Sequence, residues 1–258
     1  EAKYHVVAAG AIENTRILLL SDIQKDSPSL GKLFCEHFYM WNAGTFNIGD
    51  PLKKKIYFSP YPIQTNKGTR IMGILVPRKE FIEKNKINNF RVLLGGSDEI
   101  PGTLNVSWEQ ACTENNYLDI LDDIQPDSLG HKRIHLHTDF SALDRGTLVN
   151  AITVTKDYIE KNFKATKFCI PDLNSDPISW GRNYRIAPGN HPMGTTRMSF
   201  DPREGVVDPN CQLHTVGNLY VAGSSVFPCG GYANPTLTII ALSVKIANHI
   251  TKMEKTWI

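Results

Sequence analysis

The sequence predicts a mixed α/β and α+β fold, with α/β segments at the two ends of the chain and an antiparallel sheet inserted between them. Three observations carry that expectation. Near the start, the short apolar run Val6-Val7-Ala8-Ala9 passes through Gly10 into helically spaced residues. Near the end, Leu219-Tyr220-Val221-Ala222 passes through Gly223-Ser224-Ser225 toward a second apolar helix. Between them, apolar and aromatic segments recur at short intervals, broken by Gly, Pro, Asn and Asp.

The elements follow in order. Val6 to Ala9 is a continuous apolar run of the kind buried on both faces of a parallel sheet, and Gly10 supplies the turn. Ile12, Ile17, Leu18, Leu19 and Leu20 then fall at helical spacing, so residues 4–20 read as strand, turn and helix. Segments near 39–48, 54–60, 70–76, 90–95 and 103–108 read as antiparallel strands, and Arg133 to Phe140 as another. Leu143 to Phe163 reads as a long helix capped by Ser141 or Asp144, with Leu148, Ile152, Val154, Tyr158 and Ile159 facing inward. Residues 164–190, rich in Pro, Asn, Asp and Gly, read as a connecting loop. A last strand at 219–222 leads to a helix from Pro235 to about Ile250, apolar on nearly every side and therefore expected to be buried. The simplest organisation joins 1–33 and 192–258 into one domain, with 34–191 as the inserted second domain.

Bulk properties narrow the function. The 258 residues are 41% hydrophobic and 21% charged, a globular composition able to bury a core. A formal net charge of +2 is too weak to argue for a nucleic-acid partner or an anionic membrane surface. Cys35, Cys112, Cys169, Cys211 and Cys229 are odd in number, widely spaced and free of any CxxC, so neither a disulfide framework nor a cysteine metal site is expected. The longest apolar stretch, Thr236 to Ile250, is too short and interrupted to span a bilayer. The chain opens without Met or a signal-peptide pattern and enters a strand at once. It reads as cut from a longer polypeptide, and it leaves the compartment open.

Two stretches carry chemistry. In Gly189-Asn190-His191-Pro192-Met193-Gly194-Thr195, Pro192 biases His191 toward an extended backbone and Gly194 permits a sharp bend. Such a sequence holds one histidine rigidly on a loop, although a lone loop histidine is more often a packing residue. In Asn234-Pro235-Thr236-Leu237-Thr238, Pro235 suits the first position of a helix and Asn234 the cap before it. A helix start of this kind favours a nearby anion. His135 and His137 share a strand face, but two histidines alone make a poor metal site, and none is expected.

Taken in order, Gly10-Ala-Ile-Glu-Asn-Thr-Arg-Ile-Leu-Leu-Leu-Ser21, Leu30-Gly-Lys-Leu33 with Glu36-His37, His191-Pro-Met-Gly-Thr195, Gly205-Val-Val-Asp208, Asn218-Leu-Tyr-Val221 and Asn234-Pro-Thr-Leu-Thr238 resemble the C-terminal half of the glucose–methanol–choline (GMC) oxidoreductases. The match is dense over about 189–250 and clear over 4–21. The middle of the chain follows the family only in general layout.

The resemblance implies the C-terminal part of a Rossmann-like FAD-binding domain at 1–33 and 192–258, with an antiparallel substrate domain at 34–191. It implies FAD as cofactor and oxidation of a CH–OH group of a sugar or other alcohol. His191 would take the hydroxyl proton as hydride passes to flavin N5, and Asn234 would hold the same oxygen. Gly223 and Ser224 would lie against the ribityl-phosphate part, Asn234, Pro235 and Thr236 near the pyrimidine edge, and Ala9 and Gly10 beside the adenosine end. Asn in the second catalytic place, with Met-Gly-Thr-Thr-Arg-Met after the histidine, is similar to pyranose oxidases and bacterial sugar dehydrogenases.

Two departures matter. No GxGxxG dinucleotide fingerprint occurs, so a missing N-terminal half or a second chain would have to supply it. Gly223 stands where many members carry Asp. Besides the small-molecule substrate, a homo-oligomer is compatible with the sequence. A lyase on the same fold, like the hydroxynitrile lyases, and a flavin-free remnant subunit are the competing readings.

Overall fold

A computed structural model describes residues 2–24, 26–48, 63–64, 70–71, 73–96, 101–181 and 184–255. In chain order the elements are β1 (His5–Val7), α1 (Ala11–Leu20), β2 (His37–Asn47), β3 (Ile63–Gln64), β4 (Arg70–Ile71), α2 (Lys79–Asn85), β5 (Phe90–Gly95), β6 (Gly102–Glu109), β7 (Tyr117–Leu121), β8 (Arg133–His137), α3 (Ala142–Phe163), β9 (Thr166–Cys169), β10 (Ile186–Pro188), β11 (Leu219–Val221) and α4 (Thr236–Lys255). The strand expected at 54–60 lies outside the described residues. The chain divides into two compact units, one of residues 1–36, 112–139 and 190–258, the other of 37–111 and 140–189.

The first unit has a parallel pair at its centre. His5, Val6 and Val7 of β1 register with Leu219, Tyr220 and Val221 of β11. All three β11 residues are buried. Expected to be covered on both faces, β1 is instead open: Val6 is 49% exposed, because β11 is its only partner strand among the described residues. One face of α1 is buried, through Ala11, Asn14, Thr15 and Leu18, the spacing of a single helical stripe. The core of this unit gathers Leu18, Met193, Val206, Val207, Leu213, Tyr220, Val221 and Val226.

The antiparallel hairpin β7–β8 belongs to this unit, so residues 112–139 cluster with the chain ends rather than with the inserted segment. Backbone bonds explain this: Leu118 N–H donates to Gly31 O over 2.7 Å, and Phe34 N–H to Asn116 O over 2.9 Å. The hairpin's first strand passes unnoticed in the sequence, though Tyr117-Leu118-Asp119-Ile120 alternates as a strand does.

The last helix departs from expectation. It begins at Thr236, with Pro235 O accepting from Ile239 N–H at 2.9 Å, and so starts one residue later than its proline suggests. Nor is it buried all round: Leu237 is 79% exposed, and Ile240 and Val244 are each 55% exposed. Its apolar composition signals a surface that wants covering, and the described residues cover one side only, at Ile246.

The second unit is an antiparallel sheet in the order β10-β2-β6-β5, with β9 also pairing β2; β3 and β4 form a separate short antiparallel pair. The supposed loop 164–190 therefore contributes two short strands, hidden in the sequence by its Pro and Asn content. Met40, Phe46, Phe90, Val92, Leu104, Val106 and Trp108 meet Leu148, Ile152, Ile159 and Phe163 of α3 in one core. Within α3, Val154 is half-buried and Tyr158 is exposed, because the buried stripe runs 148, 152, 155, 159, 163. Ser141 is the N-cap: it accepts from Asp144 N–H, and the Asp144 carboxylate accepts from Ser141 N–H at 3.0 Å, a reciprocal capping box. The second Asp144 oxygen accepts from Ala111 N–H at 2.9 Å. Burial pushes the Asp144 carboxyl above its ordinary pKa.

Candidate active site

Three stretches remote in sequence converge in the first unit. The chain after His191 runs beside the turn that follows β11: Gly194, Thr196 and Met198 N–H donate to the carbonyls of Ser224, Ser225 and Val226 at 3.2, 3.0 and 2.9 Å. Ser224 Oγ donates to Pro192 O at 2.7 Å. On the other side, Met193 and Cys35 exchange backbone hydrogen bonds of 2.8 and 3.1 Å. His191 itself is half-buried. Its N–H donates to Oε1 of the buried Glu36 at 2.5 Å, which sets the backbone immediately before Pro192.

Asn14 ties the β11 turn to the β1 turn. Its side-chain oxygen accepts from Ala9 N–H at 2.7 Å. Its amide donates to Ala222 O and to Ser225 Oγ, each at 3.0 Å. Thr15, one residue on, donates to Thr195 Oγ1 at 2.8 Å. Both residues are fully buried. In sequence they lie within the polar run Glu13-Asn14-Thr15-Arg16, which does not mark them as buried.

Backbone geometry shows why the loop needs its sequence. Gly194 has φ +75°, and a Cβ there would stand 2.3 Å from Leu33 O. Thr195 follows at φ +77°, a strained conformation for a β-branched residue. Thr195 is held there by Gly31 N–H donating to its carbonyl at 2.7 Å, its own N–H donating to Lys32 O at 3.2 Å, and the Thr15 hydroxyl.

The residues singled out for a cofactor occupy two kinds of position. Ala9, Gly10, Asn234 and Thr236 are exposed, Gly223 is half-buried, and Ser224 and Pro235 are buried. Gly10 (φ +94°) and Gly223 (φ +123°) end β1 and β11 and each open a helical turn, α1 and the short 3₁₀ turn Ser224–Val226. A Cβ on Gly10 would meet nothing within 4 Å, and one on Gly223 only Asn14 Nδ2 at 3.5 Å. Open backbone at the carboxyl ends of parallel strands, leading into helix N-termini, is where such sheets receive anionic ligands. The Ser224 hydroxyl is committed to Pro192 O, and its carbonyl accepts from Gly194 and Phe227 N–H. Asn234 and Thr236 stand where the chain turns into α4. Among the described residues no helix is long and apolar enough to cross a membrane.

Comparison with known proteins bears on the family and the fold. A family model described as GMC oxidoreductase matches residues 113–243. The large subunit of fructose dehydrogenase from Gluconobacter japonicus is 41% identical over 65 residues, 25% of this chain and 12% of that protein. C-glycoside 3-oxidase from Arthrobacter globiformis is 42% identical over 74 residues, 28% of this chain and 14% of that one. The structure of an FAD-dependent oxidoreductase from Chaetomium thermophilum superposes with a TM-score of 0.66 at 14% identity, covering 98% of this chain and 56% of its own. At that identity the likeness is one of fold, and this chain spans about half the length of that structure.

Proposed function

The chain belongs to the GMC oxidoreductase family, and from that premise we propose that it supplies the catalytic half of an FAD-dependent enzyme oxidising a CH–OH group of a sugar or other alcohol. The observation that carries the reading is the bonding of the His191 loop to the Gly223–Ser225 turn, and of that turn through Asn14 to the Ala9–Gly10 turn. One network thus spans the proposed base and both glycine turns proposed for the cofactor.

The residues present fit a dinucleotide. Gly10 and Gly223 leave space for close approach to their backbone, and residues 1–33 with 192–258 form the C-terminal part of the FAD-binding domain. Ala9 and Gly10 border the adenosine end; Gly223 and the backbone of Ser224 border the ribityl-phosphate part. Asn234 and Thr236 border the pyrimidine edge, with the buried Pro235 shaping the turn between them. Residues 37–111 and 140–189 provide the substrate domain, and 112–139 serve the first unit. Bound FAD supplies the acceptor for the substrate's hydride.

A neutral His191 imidazole accepts the substrate's hydroxyl proton, and the Asn234 amide donates a hydrogen bond to the same oxygen, keeping it oriented as the proton leaves. Glu36 and Pro192 hold His191 in place. The names of the fructose and C-glycoside relatives support a sugar, and that of the equally similar 2-methyl-1,2-propanediol dehydrogenase a smaller alcohol. The rest of the FAD-binding domain, including a GxGxxG segment, comes from outside residues 1–258.

The test is anaerobic titration of the complete flavin-loaded protein with a panel of sugars and alcohols, followed by the flavin's visible absorbance. Bleaching by a sugar supports the proposal. An unchanged spectrum across the panel, with turnover of a cyanohydrin or no turnover at all, would assign a lyase or a non-catalytic subunit in its place.

A further inference from the structure

The β7–β8 hairpin gathers three groups that the proposed reaction does not use. Its register sets Asp119 opposite His135 and Tyr117 opposite His137. Residues opposite one another and two apart share a face, so Asp119 arrives beside the two histidines from the neighbouring strand. Nε2 of His137 lies 3.3 Å from Asp119 Oδ1, and Nδ1 of His135 lies 3.8 Å from the same oxygen. That oxygen is buried and makes no hydrogen bond among the described residues; Oδ2 lies 3.3 Å from His137 Nε2. The His137 ring is held flat against Tyr117, with centroids 4.0 Å apart and planes 14° from parallel. Lys32 Nζ stands 4.0 Å from the Tyr117 ring centroid.

We propose that Asp119, His135 and His137 bind one divalent transition-metal ion of the zinc type. One ligand atom from each lies within 4.8 Å of the others. Donors at about 2.1 Å from a tetrahedral ion stand about 3.4 Å apart, and the 3.3 and 3.8 Å separations bracket that edge. Two imidazoles and a carboxylate suit zinc, copper or nickel rather than calcium or magnesium, which call for oxygen ligands. An acceptor held out of water without a donor is costly, and a cation at this point satisfies it. The His135 and Asp119 side chains are 47% and 44% exposed, so an ion can enter and water can fill its remaining position. With its imidazoles on β8 and its carboxylate on β7, the ion fastens the two strands in register.

The experiment uses the untagged full chain, stripped with a chelator, dialysed, and titrated near neutral pH with Zn²⁺ by calorimetry and with Co²⁺ by visible absorption. The expected result is one bound equivalent, a Co²⁺ spectrum of low coordination number, and a raised melting temperature. His137→Gln and Asp119→Asn should each weaken binding about tenfold or more with unchanged circular dichroism. Where either disturbs folding, the exposed His135→Gln replaces it. Absence of stoichiometric binding, or equal binding by the variants, overturns the proposal and leaves an ion-paired surface cluster.

Discussion

The side-chain amide of Asn14 donates to the hydroxyl of Ser225 over 3.0 Å, with both residues fully buried and 211 positions apart in sequence. This bond joins the helix that follows the first strand to the turn that follows the last. It is one of three that Asn14 makes at once. Asn14→Ala leaves the buried Ser225 hydroxyl without this donor and removes the side-chain partner of Ala9 N–H and Ala222 O, and should cost about 1–3 kcal/mol. Ser225→Ala removes only one partner and should cost less, about 1 kcal/mol. Urea unfolding of the two single variants and the double variant checks this; the double variant should lose less than the sum, because the pair shares a bond.

Gly194→Ala places a Cβ against the carbonyl of Leu33 while holding a left-handed backbone. The conformation alone costs about 1–2 kcal/mol, and the collision adds a backbone shift. The variant should melt several degrees lower and, in the flavin-loaded protein, turn over more slowly. An unchanged melting temperature would mean that the loop runs differently from the path described.

His191→Ala in the complete protein should lower kcat by about 10²- to 10⁴-fold with the flavin still bound. Glu36→Ala acts through the backbone of His191 and should lower kcat by less, with KM little changed. Glu36→Gln keeps an acceptor for the same N–H and should restore most of the rate. If Gln rescues nothing while Ala is harmless, Glu36 has no part in positioning the histidine.

Acid stability should depend on Asp127. The Arg16 guanidinium donates to its carboxylate at 2.6 Å, and with the His131 N–H holds the carboxyl down from 3.8 to about 2. A pKa depressed by folding adds stability that is fully present above the unfolded value and is lost as pH falls through the folded one. Thermal melts between pH 5 and pH 2 (a span set by these pKa values) should therefore fall more steeply for the unsubstituted chain than for Asp127→Asn. Parallel curves would remove this ion pair from the acid response.

The sequence was most legible where local chemistry acts alone. Ser141 and Asp144 announce the start of α3, and Gly10 and Gly223 announce the turns after β1 and β11. It was less legible where a residue answers to a distant partner. Asn14, Thr15 and Glu36 matter through groups roughly 155–211 positions away, and nothing in their own neighbourhood names those groups. Asp119 is the same case at shorter range, since only the hairpin register brings it to the histidines. The outer face of α4 misled for the opposite reason: Leu237, Ile240 and Val244 state a demand for burial without saying what meets it. The short strands β9 and β10 were hidden because β2 draws them into its sheet despite their composition.

The pairing of β1 with β11 also sets a timetable. During synthesis His5 leaves the ribosome 214 residues ahead of Leu219, its register partner. At about 5–20 residues per second, that is a wait of about 10–40 s. Over that interval the β1 edge that pairs with β11, and the Asn14 and Thr15 groups that reach Ser225 and Thr195, wait for partners not yet made. Newly made chains should therefore depend on a holding chaperone early in translation, and slowing elongation should lower the yield of folded protein rather than raise it.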